Sequence, residues 1–268
     1  MIIDETVRHL HDSHGDILAS ERIERLVVGV FFTAVQLSGG TCGVARSELS
    51  GELCCTINHK RNLGEFSPGR LKGRAIIDIL QHPDDRTMFA SVKLAILNAV
   101  SARVIAQGGY KVVAGRDPIE WIDASAGRTV TIVGAFQAYM DKLSTLPCTL
   151  QVLELDAGAF PECHRRFYVP AERAAEILPH SDVVILTGST LVNHTLDDLL
   201  SLISPGTFTA LVGPSSGLLP NILFRKGVDL IGTIRILDSD IMFTVVSEGG
   251  AGYHLFRTCA EKICLLHA

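Results

Sequence analysis

Residues 182–195 read Asp-Val-Val-Ile-Leu-Thr-Gly-Ser-Thr-Leu-Val-Asn-His-Thr. The first half is an unbroken aliphatic run, as expected of a strand buried on both faces. The second half sets Thr187, Gly188, Ser189 and Thr190 directly before a helix-like stretch over 191–203. A strand that passes straight into a helix aims free backbone N–H groups and hydroxyls at one point, which suits an anion or a polar ligand. Ser189 or Thr190 would equally serve as an N-cap and nothing more. The sequence leaves both roles open. Asn193 and His194 close the segment, with His194 a candidate ligand contact or a plain surface histidine.

Outward from this segment the same grammar repeats. Strand-like runs at 129–133, 149–155, 207–212 and 228–236 alternate with helix-like runs at 136–143, 171–178, 218–224 and 252–265. Continuous apolar strands separated by helices predict an α/β fold with a parallel sheet covered on both faces, and such sheets bind ligands beyond the carboxyl ends of their strands. A second loop of the same kind is Val-Gly-Pro-Ser-Ser-Gly at 212–217, with Gly213, Pro214, Ser215 and Ser216 facing the same edge or merely turning the chain. The first strand ends Thr-Ile-Val-Gly-Ala-Phe, with Gly134 alone where a dinucleotide fingerprint has three glycines, so NAD is not expected. Glu154 ends the second strand, where an acid can hold a ribose or another hydroxylated ligand, or simply be solvated.

Upstream the pattern differs. Residues 4–20 form an amphipathic helix with Val7, Leu10, His14, Ile17 and Leu18 on one face. A Val- and Phe-rich strand over 26–36, a Ser-Gly-Gly-Thr turn and a run at 42–46 predict an antiparallel hairpin, with a third strand near 53–57. A long apolar helix over 87–107 ends at Gly108-Gly109. The chain therefore divides into residues 1–115, a smaller α+β domain, and 116–268, the α/β domain, with the boundary between 108 and 128. The second part carries 17 acidic against 11 basic groups.

The 268 residues are 47% hydrophobic and 20% charged, a globular composition, and the net charge of −5 argues against a nucleic-acid partner. Uncharged runs at 26–45 and 199–224 are broken by Gly and Pro turn signals, so both read as buried core rather than membrane spans. The second leaves room for a homodimer contact. The opening residues lack the basic start and apolar core of a secretory leader, and a cytoplasmic protein is expected. Seven cysteines without C-x-x-C spacing predict neither a disulfide framework nor a zinc ribbon. His9, His11 and His14 do not share a helix face, Cys163-His164 are adjacent, and Lys60, Arg61, Arg70, Lys72 and Arg74 make a basic loop.

Several segments together resemble the heavy-metal-chelation family of uncharacterised two-domain proteins. They are S-P-G-R-L-K-G-R (67–74), A-I-L-N-A-V (95–100), V-T-I-V-G-A-F (130–136), D-V-V-I-L-T-G-S-T-L-V-N-H-T (182–195) and V-G-P-S-S-G-L-L-P-N-I-L-F-R-K-G-V (212–228). The resemblance implies a domain similar to the enolase amino-terminal domain, then a Rossmann-like domain, with a site in the cleft between them. The family's glycine-rich hairpin turn appears as Ser38 to Gly43, with Cys42 a departure. Three readings follow: a polar or anionic small molecule, or a metal-chelating cofactor, held by the 187–194 and 213–216 loops; a non-catalytic carrier of a divalent or heavy metal ion through His194, His164 and Cys163; and a transferase holding an adenosyl cofactor at Gly134 and Glu154.

Overall fold

The computed structural model describes residues 1–48, 69–83 and 87–267. The strand expected near 53–57, Cys54, Cys55, Lys60 and Arg61 lie outside them.

The chain opens with α1 (Ile2–Ser20), which buries Ile2, Thr6, Leu10, Ile17 and Leu18 at helical spacing. A three-stranded antiparallel sheet follows, β1 (Ile23–Val28), β2 (Phe32–Leu37) and β3 (Cys42–Arg46). The single strand expected over 26–36 is thus two. The chain reverses at Gly29, whose N–H donates to the Phe32 carbonyl at 2.9 Å and where a Cβ would collide with the Val246 carbonyl. Next come α2 (Ile76–Leu80) and α3 (Thr87–Ala106). Among the described residues α3 is the one helix long and apolar enough to cross a bilayer, yet 83% of that stretch is buried inside the protein. It is the central core helix and packs on β2 and β3.

The second unit comprises β4 (Lys111–Ala114), β5 (Thr129–Val133), α4 (Gln137–Leu143), β6 (Thr149–Glu154), β7 (Tyr168–Pro170), α5 (Ala174–Ile177) and β8 (Val183–Thr187). It continues with α6 (Ser189–Val192), α7 (Leu196–Leu202), β9 (Phe208–Val212), α8 (Pro220–Arg225), β10 (Leu230–Ile236), α9 (Ser239–Ser247), α10 (Gly252–Thr258) and β11 (Ala260–Leu266). The eight strands lie in the order β4-β11-β10-β9-β8-β5-β6-β7. Strands β5 to β10 run parallel, which makes this a Rossmann-like sheet.

Three expectations need correction. The helix expected over 252–265 stops at Thr258, and residues 260–266 form β11, antiparallel to both β10 and β4. A ladder on each side satisfies its backbone, and these pairings override an apolar spacing that a helix would also fit. Residues 111–114, counted with the first part of the chain, join the second sheet as β4. The helix expected over 191–203 breaks at 193–195 into α6 and α7.

The largest cluster of buried side chains runs across both units, from Leu10 and Ile17 of α1 through Ile96 and Val100 of α3 to Leu186, Leu211 and Ile231 of the sheet. Val130, Ile132, Met140 and Leu143 fill the other face of the sheet. The uncharged run 199–224 goes into this core: Leu211, Leu218, Leu219 and Leu223 are fully buried.

Candidate functional site

In the eight-stranded sheet the chain builds outward from β5 through β6 to β7, then returns to the other side of β5 with β8, β9 and β10. The crevice at the carboxyl ends of β5 and β8 is therefore the point where strand order reverses, the usual ligand position in an open α/β sheet. Gly134 stands on one side with φ +100°, and a Cβ there would lie 3.0 Å from Thr187 Cγ2 on the other. The Thr187 hydroxyl donates to Ser189 Oγ at 3.2 Å and accepts from the Ser189 N–H at 3.3 Å. The Ser189 hydroxyl proton has no acceptor among the described residues, and both side chains are half-buried.

Thr190 behaves differently. It is buried, and its hydroxyl donates to the Thr187 carbonyl at 2.6 Å, so it braces its own turn. With α6 only one turn long, little helix dipole stands behind the loop. What the loop does have is a partner. A Cβ on Gly188 would collide with Ser216, so the 187–190 and 213–216 loops pack directly on one another.

The second loop also ties in the first unit. Gly213 takes φ +126° and Pro214 opens the turn. Ser215 Oγ accepts from the Arg46 N–H at 2.8 Å, and the Ser215 carbonyl accepts from Asn98 Nδ2 at 3.0 Å. Asn98 Nδ2 also donates to the Val44 carbonyl at 2.8 Å. Three side-chain atoms here are buried without a partner among the described residues: Ser216 Oγ, Asn98 Oδ1 and Thr233 Oγ1. Asn98 and Thr233 converge on Gly217, where a Cβ would lie 3.3 Å from Asn98 Cγ and 3.3 Å from Thr233 Oγ1. Each such orphan costs about 1 to 3 kcal/mol, so a group of three calls for a water or ligand atom.

Asn98, Thr233 and Arg46 were not singled out by sequence reasoning. Asn98 carried a readable signal, an amide amid the apolar run Ala-Ile-Leu-Asn-Ala-Val. Arg46 carried none, since only the pairing of β3 brings it beside Ser215. It is exposed, and its guanidinium forms no ion pair with a described residue.

Of the other candidates, Glu154 borders this crevice beside Gly134, while Asn193 and His194 lie at the far end of α6. Glu154 is a brace: Oε2 accepts from the Ala135 N–H at 2.8 Å, and Oε1 from those of Leu155 at 2.7 Å and Asp156 at 3.2 Å. Asn193 Oδ1 accepts from the Thr195 hydroxyl at 2.8 Å and shapes the turn between α6 and α7. His194 follows with φ +60°, the one non-glycine residue in left-handed conformation among the described residues. The Thr195 N–H reaches back to the Thr190 carbonyl at 3.0 Å, which makes this a Schellman-type helix end with His194 at the position Gly favours. His194 lines a different cleft, shared with Arg8 and His11 and with neither Thr187 nor Ser189.

The residues present do not fit a bare heavy metal ion. No group of three or more His, Cys, Asp or Glu is placed to share one among the described residues. His164 is buried with Nε2 on Asp141 Oδ1 at 2.7 Å, which pins it to α4, while its neighbour Cys163 faces solvent. Burial pushes the Cys42 thiol up to about 11 and the Cys264 thiol up to about 12.

Two family models match this chain, over residues 11–101 and 117–265, and each carries the description "Putative heavy-metal chelation". A DUF364-family protein of unknown function from Pyrococcus horikoshii has a similar structure, with TM-score 0.78 at 18% identity, covering 99% of this chain and 100% of that one. A second, from Desulfitobacterium hafniense, has TM-score 0.71 at 20% identity, covering 97% and 100%. An uncharacterised protein of Methanocaldococcus jannaschii is 36% identical over 86 residues, and the match spans about a third of that protein's length, as of this chain's.

Proposed function

This chain belongs to the heavy-metal-chelation family, and from that premise we propose that it binds an oxygen-rich organic anion of the metal-chelating class in the crevice between Gly134, the 187–190 loop and the 213–216 loop. The observation that carries this is the Thr187–Ser189 hydroxyl pair, half-buried at the point where strand order reverses and hydrogen-bonded only within its own turn. We assign the positive charge to Arg46, whose backbone N–H donates to Ser215 Oγ and whose side chain is exposed. Gly134 lets the two strand ends close on each other, since a Cβ there would lie 3.0 Å from Thr187 Cγ2. A metal would arrive already held by the ligand's own oxygens, since the two loops offer hydroxyls and backbone amides, and no three His, Cys, Asp or Glu among the described residues are placed to share an ion.

Calorimetric titration with citrate, with Ni(II) and with preformed Ni(II)–citrate tests the reading. Citrate or its chelate should bind and the bare ion should not. Ser189→Ala should weaken citrate by about tenfold at nearly unchanged melting temperature, the affinity loss of one unpaired polar contact. Thr190→Ala should do the reverse, costing about 1 kcal/mol of stability with citrate binding unchanged. Stoichiometric binding of Ni(II) alone, or citrate affinity indifferent to both Ser189→Ala and Arg46→Ala, would overturn it.

A further inference from the structure

Between α1, residues 81–83 after α2, the facing side of α3 and the turn after α6 lies a cleft of about 460 Å³, within the range of small-molecule sites. Its floor is apolar, with Val7, Leu80, Leu94 and Leu191 among the lining side chains. Its rim carries Arg8, His11 and His194. The acid on that rim, Asp4, is paired with the Met1 ammonium at 3.6 Å, while Arg8 has no ion pair with a described residue. Lys93 also lines the cleft and donates to the His82 carbonyl at 2.6 Å.

His194 ties the cleft to a ligand. Its left-handed backbone is one that glycine adopts freely and histidine adopts under strain, so the conformation holds an imidazole where a Schellman turn needs no side chain. Its Nε2 is shielded from solvent and has no partner among the described residues. A guanidinium and imidazole N–H donors above an apolar floor are the complement of an amphiphilic anion.

We propose that this cleft binds an organic monocarboxylate with an aliphatic body, its chain laid on the floor formed by α1, α3 and Leu191 and its carboxylate held by Arg8 and His194. This site is separate from the crevice beside Thr187 and does not rest on that reading. Asp84 and Asp85, which follow Pro83 in sequence, lie outside the described residues, so the test includes a ligand of opposite charge.

The experiment is calorimetric titration of the full chain with hexanoate, hexylammonium and 1-hexanol. Hexanoate should saturate a single site and the other two should not. Arg8→Ala, an exposed change on α1, and His194→Gly should each weaken hexanoate by about tenfold. His194→Gly should also raise the melting temperature of the unliganded protein, so lost binding cannot be mistaken for lost fold. Ser189→Ala should leave hexanoate unaffected, which separates failure here from failure of the citrate site. Equal binding of hexylammonium or hexanol, no hexanoate binding up to about 10 mM, or an affinity insensitive to both cleft variants would overturn the proposal.

Discussion

Chemically similar side chains only a few residues apart do different work here, and their partners decide which. Thr190 braces its own turn while Ser189, one residue earlier, keeps a free hydroxyl proton. Asp117 shows the same division among carboxylates. It sits where β4 leads toward β5, accepting from Lys262 at 2.6 Å, Tyr139 at 2.9 Å and the Ile119 N–H at 3.2 Å. Burial alone would raise its pKa, but these hydrogen bonds outweigh burial and hold the carboxyl below its usual range. A group whose native pKa is lowered stabilises the fold above its unfolded value, near 3.9, and that contribution fades as pH falls through the native value. Asp117→Asn should therefore cost about 2 kcal/mol at pH 7, as lost hydrogen bonds to a charged group do. Urea unfolding should show the gap to wild type constant down to about pH 5 and narrowing below about pH 4. A gap that widens in acid would refute the assignment.

At the scale of elements, the contact that seats the core helix is α3 against β3. Gly43 of β3 is buried where a Cβ would collide with the Ala95 carbonyl and the Ala99 N–H of α3. Gly43→Ala should force strand and helix apart and cost about 3 kcal/mol, the upper end for overpacking, read as a lowered urea midpoint. A change within a few tenths of a kcal/mol would mean that the two elements slide freely. The pattern of apolar residues made α1, α3 and strands β5, β6, β8 and β9 legible, because each is a long run with one period. It misled where two periods compete: residues 260–266 fit a helix locally and become β11 only through β10 and β4, far away in sequence. The turn at Gly29 and the break at His194 escaped notice for a related reason. Both depend on what the backbone meets in space. The same limit applies to the candidate site. The two loops and Gly134 could be read as strand ends, whereas Arg46 and Thr233 join them only through sheet pairing.

For the molecule as a whole, the question is whether the two units fold separately. Just before β4, which pairs with β11 in the large sheet, Gly108 and Gly109 take φ of +101° and +86°. Many bonds cross between the units. The Ile2 N–H donates to Asp197 at 2.9 Å, Lys226 pairs with Glu5 at 2.9 Å, the Leu219 N–H donates to Ser101 at 3.0 Å, and Tyr110 donates to Asn221 at 2.9 Å. Asn98 and Arg46 add their links to Ser215. Beneath these the largest hydrophobic cluster is continuous from α1 through α3 into β8, β9 and β10. Parting the units would expose that cluster and strand several polar groups, and only the far face of the sheet, with Val130, Ile132, Met140 and Leu143, would keep its packing. Calorimetric unfolding should therefore give one transition, with calorimetric and van't Hoff enthalpies equal. A fragment of residues 1–107 should fail to fold, because the face that α3 turns to the sheet would be left in water. Two resolved transitions, or a folded 1–107 fragment with native helix content, would mean that the units are joined by their linker more than by their core. A shared core also bears on binding: the α1 cleft is lined from both units, by Arg8 and Leu94 on one side and Leu191 and His194 on the other, so a ligand bound there should raise the midpoint of the single transition rather than split it.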